Sequence, residues 1–214
     1  MRSALVGNDR CRAVSEAYVT CVSRLGYSRG MELDRGASRT GVSRQSMSLS
    51  QIELSETETE NPLDQIERIA TRNQWAFDRD DEDEISIAVT GTWTDYNIAF
   101  TWLSDIEALH LACAFDLKVP PARRADTLAL IAMVNEQLWI GHFDVWPQDG
   151  VVMFRHSILL TGGAALNARQ CEAALNSAVT ACERYYQAFQ FVVWAGKSGR
   201  EALETAMLET KGEA

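Results

Sequence analysis

The most constraining feature of the chain is the stretch from Asn167 to Phe189. Cys171, Ala174, Leu175, Ala178, Cys182, Tyr185, Tyr186 and Phe189 recur there at helical spacing and trace one long apolar face. Asn167 with Gln170 three residues later makes a capping box, and Leu166 stands where a hydrophobic staple packs on Cys171. A helix this long and this one-sided needs a broad apolar surface to lie on.

Upstream strand patterns supply that surface. Ile85, Ile87 and Val89 alternate, then Tyr96, Ile98, Phe100 and Trp102, then Leu109, Leu111, Cys113 and Phe115. Short connections at Gly91 and Asp105 favour antiparallel neighbours. Asn61 before Pro62 opens a helix that Leu63, Ile66, Ile69 and Ala70 carry to about Trp75. The acidic run from Asp78 to Glu84 reads as a solvated loop, since it lacks the glycine and spaced ligands of a calcium-binding loop. Val119 before Pro120 stays extended, and Pro121 opens a second helix to about Trp139. Phe143 and Val145, the Asp149-Gly150 turn and Val151 to Leu160 make a hairpin. Gly196 ends the long helix, and a final one runs from Ser198 to about Glu209. The predicted class is α+β, an antiparallel sheet with flanking helices in the order α-β-β-β-α-β-β-α plus a C-terminal helix.

Charge divides the chain. Residues 1–46 carry eight Arg, no Lys and four acids, whereas the whole chain of 214 residues has a net charge of −10. We expect residues 1–60 to be a disordered or artificially extended leader with a native start at Met47, and residues 61–214 to form the domain. The acidic balance argues against nucleic-acid binding. The apolar runs Leu128 to Val134 and Phe189 to Gly196 are too short to insert in a membrane. Five cysteines without a Cys-x-x-Cys pair fit a reduced cytoplasm, with Cys171 and Cys182 as small core residues.

Few residues offer chemistry. His142 and Asp144 share a strand face, and His156 on the partner strand is the third member of a candidate metal cluster, which a small metal-dependent hydrolase would use. Ala195-Gly196-Lys197-Ser198 lacks the upstream glycine of a phosphate loop. Thr161-Gly162-Gly163 reads as a tight strand-to-helix link. No catalytic residue, metal site or cofactor is expected. The aromatic and apolar residues Trp139, Trp146, Phe191, Val192 and Trp194 are the candidate surface for a partner chain.

Two stretches carry a resemblance. Asn135-Glu136-Gln137-Leu138-Trp139-Ile140-Gly141-His142-Phe143-Asp144-Val145 and Asp149-Gly150-Val151-Val152-Met153-Phe154-Arg155-His156 resemble the bacterial YbjN family. The run from Cys182 to Gly196 looks like the same family's closing helix. The resemblance implies a fold similar to type III secretion chaperones, small acidic α+β proteins that pair as dimers and hold extended segments of other proteins. It brings no catalytic residues. The expectation is a cytoplasmic, non-enzymatic protein-binding module, chaperone-like or regulatory, with an unknown protein partner and a homodimeric state. Consecutive apolar residues Phe191 to Trp194 add to the dimer expectation, because one helix cannot turn all of them toward one sheet.

Overall fold

The computed structural model describes residues 61–209. The expectations for a leader and for a start at Met47 lie outside the described residues.

Helix α1 (Pro62–Arg72) begins where the sequence signals it, with the Asn61 side chain accepting from the Leu63 N–H and Leu63, Ile66, Ile69 and Ala70 buried. It stops short of Trp75 because Gln74 turns the chain with a left-handed φ of 57°. Four strands follow as an antiparallel meander: β1 (Ala76–Asp81), β2 (Glu84–Thr90), β3 (Asp95–Leu103) and β4 (Ala108–Lys118).

Strand β1 corrects the expected acidic loop, which is a strand with a tight turn at Glu82 and Asp83. It is an edge strand, and charged side chains are tolerated there because one flank stays in solvent. Arg79 turns part of that charge inward, reaching Asp64 at 2.7 Å and Glu67 at 2.8 Å on α1.

After a short turn at Pro121–Arg123 come α2 (Arg124–Asn135), the hairpin β5 (His142–Val145) and β6 (Val151–Leu159), then α3 (Ala168–Val193) and α4 (Gly199–Glu209). The capping box forms as read: Asn167 accepts from the Gln170 N–H, and the Gln170 side chain accepts from the Asn167 N–H. Ser198 and Glu201 cap α4 in the same reciprocal way. Helix α2 ends before Trp139, because Asn135 is drawn to β5, and the chain then turns through Gln137 and Leu138.

Among the described residues the sheet order is β1-β2-β3-β4-β6-β5, six strands against the five expected. One face meets the helices, and all four contribute to a single apolar core. Phe115, Phe143, Phe154, Phe189 and Tyr185 knit that core, with Phe143 at 5.2 Å from Phe189 and 5.5 Å from Phe154 between ring centres. The other face is built from short or polar side chains in register. One row runs Glu84, Thr101, His110, Ser157, and the next Ser86, Ala99, Ala112, Arg155, His142. Arg123 fastens the helical layer by donating from Nε to the Val192 carbonyl at 2.9 Å, at the end of α3, and from Nη2 to the Lys197 carbonyl at 2.6 Å, in the link to α4.

Candidate functional site

The expected His142, Asp144 and His156 cluster does not assemble. His142 pairs in register with Arg155, and Asp144 with Met153, on the sheet face away from the helices. His156 follows Arg155 by one residue, and alternation turns it to the helix side, where Phe154 is buried. Arg155 stands where the cluster needed a third ligand, with Nη1 at 3.3 Å from Asp144 Oδ2. Among the described residues no group of His, Cys, Asp and Glu is arranged to hold a metal ion. Burial lowers the pKa of both His142 and His156, helped at His142 by Arg155 against the opposing pull of Asp144, and at His156 by His142.

The histidine in the most developed environment is His110, which the periodicity of β4 conceals. Its Nδ1 lies 2.8 Å from Ser157 Oγ across the β4–β6 ladder. A histidine beside a serine invites comparison with a catalytic dyad, and the protonation energetics decide against it. Burial, with Arg155 nearby, pushes the His110 pKa down to about 3, so the ring is a poor general base near neutral pH.

The other chemical candidates resolve into packing. The Gly162 N–H donates to Glu107 at 3.3 Å, so a carboxylate of the chain itself meets the strand-to-helix link. Lys197 Nζ donates to Thr205 Oγ1 at 2.9 Å and sits 4.7 Å over the Phe191 ring, tying α4 to α3. Cys113 and Cys182 face each other in the core at 3.5 Å, and burial pushes the Cys171 thiol up to about 11, which leaves it protonated and inert.

The five candidate surface residues separate. Trp139 is fully exposed and Trp194 is 65% exposed, whereas Val192 has no exposure and Trp146 has 5%. Val192 and Trp146 are therefore interior residues, and Phe191 is half-buried under Lys197. Arg123, before α2, meets Val192 near the end of α3, whereas Gln137, after α2, meets Tyr185, so Trp194 and Trp139 lie toward opposite ends of α2 and do not form one patch.

Beside Trp139 lies a feature that no single stretch of sequence encodes. Ile140, His156, Ile158, Leu166, Gln170 and Ala173 line a groove of about 180 Å³ between the far half of β6 and the first turns of α3. It exists because β5 is four residues long and β6 nine, so β5 leaves β6 uncovered beyond Arg155. Ile140, at its border, is half exposed.

The polar residues of the Asn135–Val145 stretch hold this region in shape. The Asn135 amide bonds both backbone groups of Phe143, and Gln137 Oε1 accepts from the Tyr185 hydroxyl at 3.2 Å. Gly141 has a φ of +68°, and a Cβ there would stand 2.8 Å from the Arg155 carbonyl oxygen. These are packing and turn requirements, which explains a recognisable motif without chemistry in it.

No curated protein matches the chain. Among solved structures, it is similar to "YbjN, a putative transcription regulator from E. coli", with a TM-score of 0.42 and 8% identity over 58% of this chain and 90% of that one. It is also similar to a chain of the ExsC–ExsE complex, with a TM-score of 0.40 and 17% identity over 59% and 93%. The family model described as "Putative bacterial sensory transduction regulator" matches residues 62–191, and the chain belongs to that family, YbjN.

Proposed function

We propose that the chain is a non-enzymatic protein-binding module, chaperone-like or regulatory, that works in the cytoplasm. The observation that carries this reading is the groove between β6 and α3, with Trp139 wholly exposed and Ile140 half exposed beside it. A fully solvated tryptophan next to an apolar groove loses unfavourable hydration when a partner covers it, as binding hot spots do. The regulator description of the family supports the same reading. The net charge of −10 favours basic protein partners over nucleic acid. No described helix is long and apolar enough to cross a membrane.

We further propose a homodimer through the opposite end of α3. Helix α4 packs Ala202 and Ala206 into the core and half covers Phe191 and Val193. Trp194 stays 65% exposed at that end, and Leu208, in the last turn of α4, is 72% exposed.

The test of the binding reading is quantitative affinity capture from native lysate with the wild-type chain and with Trp139→Ala/Ile140→Ser. The reading requires proteins enriched by the wild type and lost with the variant. Identical profiles from two equally stable baits would remove the groove from the function.

A further inference from the structure

The sheet has a second buried surface, on the side away from the helices. Ser86, Ala99, His110, Ala112, Ala114 and Met153 lie on adjacent rows of that face, in register across β2, β3, β4 and β6, and each is 8% exposed or less. Their neighbours along each strand, such as Ile87, Ile98, Leu111 and Phe154, belong to the core that the four helices share, so alternation turns these six the other way. None of the six is part of that core, and no described helix lies on their side. Further out in the same rows His142 and Ser157 are exposed, so the burial is confined to the middle of the face, as under one covering element.

The chain itself offers a cover of matching chemistry. Residues 11–25, outside the described part, bring Cys11, Val14, Tyr18, Val22 and Leu25 to one side at helical spacing. A helix of that length measures about 22 Å, close to the roughly 24 Å across a six-stranded sheet. Residues 10–25 carry Arg10, Arg12 and Arg24 against Glu16, whereas the face is rimmed by Asp78, Glu84 and Asp144 against the guanidinium of Arg155. Residues 47–60 hold four Glu and no base, which sets them against the same rim.

The point of attachment also suits. The Asn61 amide donates to the Glu82 carbonyl at 2.8 Å, so the chain enters the described fold at the β1–β2 turn, two residues from Glu84. The 35 residues from 26 to 60 are long enough to reach any point of the face from there.

We propose that residues 11–25 lie on the outer face of the sheet as an intramolecular cover, with their apolar side on Ala99, Ala112, Ala114 and Met153 and their arginines toward the acidic rim. The basic leader is then part of the folded unit, in place of the extension expected from its composition. The groove takes His156 and Ile158 from the helix side of β6, so the cover goes beyond the binding reading and stands independently of it.

Met153 serves as a native reporter, because its thioether takes an oxygen atom from hydrogen peroxide only where peroxide reaches it. The full chain is treated with dilute peroxide, and sulfoxide formation at Met153 and at Met133, half-buried on α2, is followed by peptide mass spectrometry. In the wild type, Met153 should react slowly, at a rate independent of protein concentration. Val14→Asp/Tyr18→Asp charges the apolar side of the segment and alters no described residue. It should speed oxidation of Met153 by roughly tenfold or more and leave Met133 unchanged. Fast oxidation of Met153 in the wild type, or a rate that the double variant does not alter, would overturn the cover. A wild-type rate that falls as protein concentration rises would overturn it too, and would assign the face to a second copy. If both methionines accelerate, the variant has unfolded the chain and a second measurement decides. Benzoylphenylalanine in place of Tyr18, irradiated in the full chain, should form adducts within one molecule on the outer-face residues of β3, β4 or β6. Adducts elsewhere, adducts between molecules, or none would overturn the proposal.

Discussion

The side-chain amide of Asn135 donates to the Phe143 carbonyl at 3.1 Å and accepts from the Phe143 N–H at 2.8 Å. One residue at the end of α2 thus replaces the neighbour that the edge strand β5 lacks. Phe143 is 1% exposed, with its ring among Phe115, Phe154 and Phe189.

Replacing Asn135 by Ala removes both bonds and strips a half-buried strand edge of its partners. The expected loss is about 2–3 kcal/mol in urea unfolding. Asn135→Asp keeps the acceptor and loses the donor, so it should fall between the two. A loss below about 0.5 kcal/mol for the alanine variant would mean that water serves the edge equally well.

The pH dependence of stability should carry the signature of His110. Its folded pKa lies at about 3, below the ordinary 6.5, because burial disfavours the charged ring. The unfolded chain then binds the proton that the folded chain refuses, so this contribution is fully present above pH 6.5 and declines as pH falls toward 3. Between pH 7 and pH 5 the wild type should lose roughly 2 kcal/mol more than His110→Gln, measured by urea unfolding of both. Parallel curves for the two proteins would show that His110 does not resist protonation in the fold.

Much of the fold was legible because its signals are local. Asn61 with Pro62, Asn167 with Gln170, and the alternation from Ile85 to Phe115 each contain their own reason for the element they form. Strand β1 was not legible, since Asp78 and Asp81 are unfavourable in a strand until an edge position and Arg79's ion pairs accommodate them. The side of His156 depends on register: once Arg155 is opposite His142, the next residue must point the other way. His110 looks like any polar position between Leu109 and Leu111, and only the cross-strand neighbour Ser157 marks it out. The groove was invisible for a further reason: it results from the unequal lengths of β5 and β6, which no residue type announces.

The dimer proposal is tested by light scattering at micromolar concentration. We expect a dimer mass for the wild type and a monomer mass for Trp194→Asp, since a charge at a largely exposed apolar contact costs more in an interface than in the folded monomer. A wild-type monomer mass that does not change on concentration would refute the dimer. It would leave Trp194 and Leu208 as isolated surface residues.

Site-specific photocrosslinking in living cells addresses the binding reading most directly. A benzoylphenylalanine at Ile140, in the groove, should give discrete higher-mass adducts on irradiation. The same probe at Leu128, an exposed position on α2 outside the groove lining, should not. Discrete adducts at Ile140 and none at Leu128 are the predicted result. No adducts from Ile140, or the same adducts from both positions, would contradict the account.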